Sequence, residues 1–91
     1  MKETYITISD DTSFCNVGVS INEELEIIEI NFIKNSRNWG ILVVDPDGII
    51  HNSIISNEKE RIEISFDIES IKYSLIVRKH DKRYELYIEE I

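Results

Sequence analysis

The sequence predicts an all-β chain: an antiparallel, jelly-roll-like β-sandwich of seven or eight short strands, folded as a single domain over residues 1–91. Three observations carry this. Isoleucine supplies 19 of 91 residues while alanine is absent and leucine occurs four times, a bias that suits a pleated, half-buried surface and not a helical bundle. Apolar residues recur at period two in segments of six to nine residues. Residues 39–50 join two β-branched runs through Asp45-Pro46-Asp47-Gly48, where proline presets φ, aspartate bonds back to the backbone and glycine takes the left-handed position of a hairpin turn.

The elements follow in order. Ile6 and Ile8 share a face of a first strand over 4–9, and Cys15, Val17, Val19 and Ile21 share a face of a second over 14–21. Between 25 and 33 the apolar phase changes, from Leu25 and Ile27 to Ile28, Ile30 and Phe32. A bulge near Ile27-Ile28 would account for that change, and Asn22-Glu23-Glu24-Leu25-Glu26 has the alternative of starting one helical turn. Trp39 to Val44 is apolar at nearly every position, as expected of a strand covered on both faces. A fifth strand over 49–55 is interrupted by His51-Asn52-Ser53.

The cleanest alternation lies at 61–68, with Ile62, Ile64, Phe66 and Ile68 inward and Arg61, Glu63, Ser65 and Asp67 outward. Tyr73, Leu75 and Val77 alternate next, Lys79-His80-Asp81-Lys82 forms a polar turn, and Tyr84, Leu86 and Ile88 alternate last.

Composition narrows the function classes. Eighteen acidic side chains against ten basic ones give a formal charge of −8, which repels phosphate backbones and anionic lipid surfaces. Direct nucleic-acid binding and membrane association are therefore not expected. Cys15 is alone, so no disulfide forms within the chain. No apolar segment follows the N-terminus and none reaches the length of a transmembrane helix, and a cytoplasmic location is expected.

The order of features from about 25 to 89 resembles a family of accessory sandwiches. These are the pre-peptidase C-terminal-type domains and the small N-terminal sandwich of some metallo-phosphoesterases of the polymerase-and-histidinol-phosphatase superfamily. The residues concerned are Leu25-Glu26-Ile27-Ile28-Glu29-Ile30, then Ile41-Leu42-Val43-Val44-Asp45-Pro46-Asp47-Gly48, then Glu60-Arg61-Ile62-Glu63-Ile64. A Tyr-x-Leu-x-Val strand at 73–77 and a Tyr-x-Leu-x-Ile strand at 84–88 close the pattern. Where the family has a glycine-containing turn before the first of these, this chain has Glu69-Ser70-Ile71-Lys72. The resemblance covers some two thirds of the chain and implies a binding module without catalytic residues of its own.

The candidate sites are few. Asp45 and Asp47 share a tight turn, but calcium asks for six or more oxygens and no further patterned carboxylate lies nearby. His51 and His80 sit in polar stretches without zinc-ligand spacing and read as solvent-facing. Cys15 alternates with Val17 and Val19 and reads as core. No catalytic, metal or cofactor residue is expected, and the chain is not read as an enzyme.

A binding surface is expected instead at Trp39, Tyr87, Glu63, Glu85 and Glu89, because aromatics and outward carboxylates are the groups a module uses to hold a partner. A protein partner is the first expectation and a glycan the second, with Trp39 having the alternative of plugging the core. The other function is a free-standing acidic inhibitor whose carboxylates imitate a phosphate array and block a basic, nucleic-acid-handling enzyme. Sequence does not specify the oligomeric state.

Overall fold

A computed structural model describes residues 3–20, 27–56 and 59–91. The all-β class holds: eight strands form two four-stranded antiparallel sheets. They are β1 (Glu3–Ser9), β2 (Phe14–Ser20), β3 (Ile27–Lys34), β4 (Trp39–Val44), β5 (Ile50–Ser56), β6 (Arg61–Ile68), β7 (Ile71–His80) and β8 (Arg83–Glu90). The chain divides into two compact units, one holding β1 with β6 to β8 and the other β2 to β5.

The first unit has strand order β1-β8-β7-β6. Its buried face is the one the alternation points to: Ile62, Ile64, Phe66 and Ile68 of β6, Tyr73, Leu75 and Val77 of β7, and Tyr84, Leu86 and Ile88 of β8. The pairing of β6 with β7 runs unbroken from Arg61↔Arg78 to Ile68↔Ile71. Only Glu69 and Ser70 remain to turn the chain, both at positive φ, 49° and 69°. That is the backbone of a two-residue type I′ hairpin, which favours Asn-Gly because side chains other than Asn and Gly are disfavoured there.

The expected polar turn at 79–82 is tighter than its composition suggests, since Lys79 and His80 stay in β7 and pair with Tyr84 and Arg83. Asp81, at φ 55°, begins a turn of two residues.

The second unit is a meander in the order β2-β3-β4-β5. Val19, Ile28, Ile30, Phe32, Trp39, Ile41 and Val43 are buried. The Asp45-Pro46-Asp47-Gly48 hairpin forms as its residues dictate. Gly48 N–H donates to the Asp45 carbonyl at 3.0 Å, and Asp45 N–H to the Ile49 carbonyl at 2.9 Å. Gly48 takes φ 82°.

Two sequence expectations need correction in this unit. No bulge occurs at Ile27-Ile28, because β2 and β3 pair without a break from Phe14↔Ile33 to Ser20↔Ile27. The phase change instead leaves Ile27 on the face in water and Ile28 buried. The bulge lies on β5, where Leu42 pairs with Ser53 and Val43 with His51. Asn52 is the extra residue, at φ 39°, a conformation that Asn tolerates better than most. Nor is β4 covered on both faces, since Leu42 and Val44 are half-exposed. Ile21 and the possible helical turn at 22–26 lie outside the described residues.

Candidate functional site

Four of the five expected surface residues come together on the outward face of the first sheet. Register places Glu63, Ile76, Tyr87 and Tyr5 in one row across β6, β7, β8 and β1. Arg61, Arg78 and Glu85 form the next row, while Glu89 lies beyond Tyr87 on β8, opposite Ser74.

Tyr5 and Tyr87 have ring centroids 4.8 Å apart with planes inclined at 40°, and the Tyr87 hydroxyl donates to Glu89 Oε2 at 2.7 Å. The carboxylates do not form a uniform array. Glu63 Oε2 is 3.3 Å from Arg61 Nη2, and Glu85 Oε1 is 3.4 Å from Arg83 Nε. Tyr5 and Ile76 join this face unannounced, although both lie on the outward parity of strands whose other parity is plainly the core.

Trp39 does not offer an exposed ring face. It opens β4 on the parity of Ile41 and Val43, is 4% exposed, and sits with its ring centroid 6.5 Å from that of Phe32. Its expected role as a stacking platform is therefore corrected to a core role.

His51 also departs from expectation. The bulge at Asn52 shifts the parity of β5, so that His51 faces the same side as Val43 and Asp45. Its Nε2 lies 2.9 Å from Asp45 Oδ2, while Asp45 Oδ1 accepts from the N–H groups of Asp47 and Ile49, each at 2.9 Å. The His51 hydrogen bond holds the Asp45 carboxyl below its ordinary value of 3.8, with the backbone donors adding to the effect and desolvation opposing it. Asp45 thus has both oxygens engaged, one in closing the turn and one on His51 of β5. Among the described residues, no three His, Cys, Asp or Glu side chains gather as a metal site. His80 is exposed.

The outward face of the second sheet carries the feature that sequence reading missed. Phe14, Ile33, Gly40 and Ile55 stand in one row across β2, β3, β4 and β5. The three side chains are 60%, 53% and 69% exposed. Gly40 leaves a gap between two of them, a depression lined by Ile33, Trp39, Gly40, Leu42, Ser53 and Ile55. Glycine is required there by close approach: a Cβ would collide with the carbonyl oxygen of Ile54 and lie 3.2 Å from Ile55 Cγ1.

The neighbouring row is Asn16, Asn31, Leu42 and Ser53, with Asn16 Nδ2 donating to Asn31 Oδ1 at 2.7 Å. The third is Gly18, Glu29, Val44 and Ile50, the last again largely in water. Glu29 is the one charged side chain at these outward positions. A row of exposed apolar residues of this kind marks an interaction surface more often than singly scattered ones do.

No protein-family model matches the chain, and no curated protein or solved structure is significantly similar to it. Among the described residues no helix is long and apolar enough to cross a membrane.

Proposed function

We propose that this chain is a non-catalytic binding module that recognises a protein partner through the outward face of the β2-β3-β4-β5 sheet. The observation that carries the reading is the row Phe14, Ile33, Gly40, Ile55: a glycine-made depression flanked by exposed Ile33 and Ile55, with exposed Phe14 on the far side of Ile33. Large apolar groups beside a pocket are what a protein interface uses as anchor and receptor. Exposing them to water has no folding benefit, since their removal from water is what stabilises.

A glycan partner draws less support. Sugar rings stack on open aromatic faces, Trp39 is buried, and the paired Tyr5 and Tyr87 rings lean on one another. The acidic inhibitor also draws less support, because Arg61, Arg78 and Arg83 interrupt the carboxylates of the first sheet. A phosphate mimic needs charge of one sign in a regular array.

Site-specific photo-crosslinking in lysate of the native host tests the reading. A crosslinker at Ile55 should give a discrete protein adduct, and one at Tyr87 on the other sheet should give none. Adducts from Tyr87 alone, or from neither position, would discard this face as the recognition surface.

A further inference from the structure

We infer that the hydrogen bond between His51 and Asp45 selects one of two registers for the start of β5, and so decides which residue β5 adds to the recognition face. The link to recognition rests on that face being the one proposed above; the choice of register does not.

The two registers differ in where one spare residue is stored. In the observed one, Val44 pairs with Ile50, Val43 with His51 and Leu42 with Ser53, so the spare residue is Asn52. If the pairing that runs from Trp39↔Ser56 to Leu42↔Ser53 continued without a break, Val43 would meet Asn52, Val44 would meet His51 and Asp45 would meet Ile50. The spare residue would then pass into the hairpin loop. That loop, now closed by the Asp45 N–H on the Ile49 carbonyl, would grow from residues 46–48 to residues 46–49, and hairpins use loops of both lengths. Since β5 is an edge strand bonded only to β4, no second neighbour holds it to either arrangement.

A slip of one residue turns side chains over. Ile50, 60% exposed beside Val44 on the outward face, would turn to the side on which Val43 is buried, and His51 would take its outward place. Two effects favour that continuous register. It releases Asn52 from φ 39°, where side chains are disfavoured, and it gives the apolar residue the inward parity and the polar ring the wet one.

The His51 contact opposes both. Its Nε2 lies 2.9 Å from Asp45 Oδ2, and the two side chains share a face only when Asn52 is bulged. The turn does not use this oxygen, because the N–H groups of Asp47 and Ile49 both go to Oδ1. A hydrogen bond to a carboxylate is stronger than one between neutral groups. The contact is therefore a latch on β5, and it keeps Ile50 instead of His51 on the outward face.

Nuclear Overhauser spectra of the full chain read the register directly. Wild type should show cross-strand contacts from His51 to Val43 and from Ile50 to Val44. His51→Thr removes the latch and keeps a residue suited to a strand; it should shift the populations at least about tenfold toward contacts from residue 51 to Val44 and from Asn52 to Val43. Asn52→Val, a β-branched residue that is an outlier at positive φ, should do the same with His51 in place. His51→Gln, whose side-chain N–H can reach the same oxygen, should keep the wild-type contacts.

Residue 51 remaining against Val43 in His51→Thr overturns the latch. So does a β5 that loses its contacts over residues 50–52 without pairing again. With the photo-crosslinker at Ile55, the shifted register should lower the yield of the protein adduct at least about threefold, since part of the apolar contact is lost. A register that shifts with an unchanged adduct overturns the link to recognition, whereas wild-type protein with no Ile55 adduct overturns the recognition face itself and leaves the latch to be decided by the cross-strand contacts.

Discussion

Nε2 of His51 stands 2.9 Å from Oδ2 of Asp45, and this contact ties the first residue of a hairpin turn to the strand that leaves it. The contact exists because Asn52 is bulged. Were Asn52 paired in the regular register that runs to Leu42↔Ser53, His51 would lie opposite Val44 and face the other side of the sheet. One carboxylate thus closes the turn through Asp47 and Ile49 with one oxygen and anchors β5 with the other.

The depressed Asp45 acidity gives a pH signature. An acid whose folded value lies below its unfolded one adds stability that is complete above the unfolded value and disappears as pH falls through the folded value. Asp45→Asn keeps a side-chain oxygen for the two backbone donors but removes the charge. Thermal melting should find this variant less stable than wild type at neutral pH, with a gap that closes as pH falls below 3.8, the ordinary value of the group. A gap of constant size down the acid limb would mean that the carboxylate charge contributes nothing.

Glycine positions should separate by contact. Gly40→Ala forces a Cβ against the Ile54 carbonyl oxygen, and overpacking against backbone costs about 1–3 kcal/mol. Gly18→Ala meets only Ile27 Cγ2, at 3.4 Å, and should be neutral or stabilising by about 0.5 kcal/mol, since glycine weakens a strand interior. Urea denaturation of the two variants measures the difference, and equal effects would contradict the assignment of Gly40 to a close backbone approach.

The Glu69-Ser70 turn should be open to improvement. Both residues hold the left-handed conformation, which costs ordinary side chains roughly 1–2 kcal/mol each. Replacing the pair by Asn-Gly, which suits the type I′ hairpin, should raise stability by about 1 kcal/mol, after the greater entropy of glycine in the unfolded chain is deducted. No gain in the unfolding midpoint would argue against the I′ geometry.

Core and outward aromatics should behave differently. Trp39→Ala removes a buried ring and should cost about 3–5 kcal/mol, a large part of the stability of a domain this size. Phe14→Ser and Ile55→Ser change residues that are mostly in water and should stay within about 0.5–1 kcal/mol of wild type. Denaturation midpoints decide this, and a well-folded Trp39→Ala would return Trp39 to the surface.

Much of the fold was legible because alternation is a local property. Ile62, Ile64, Phe66 and Ile68 are buried and Arg61, Glu63, Ser65 and Asp67 are not, as period two requires. The Asp45-Pro46-Asp47-Gly48 turn was legible for the same reason, since each of its residues acts on its own backbone. The bulge was not legible, because His51-Asn52-Ser53 has no composition that singles out the extra residue. Trp39 was ambiguous because both parities of β4 are apolar, so no pattern along the strand says which side is covered.

Residue order by itself determined the class, the approximate strand positions and the inward row of most strands, because these depend on periods and turns within ten residues. Tertiary structure alone decided which outward rows are neighbours. Phe14, Ile33, Gly40 and Ile55 are scattered over more than forty positions, and only antiparallel pairing, set by backbone hydrogen bonds between distant strands, lines them up as one apolar surface.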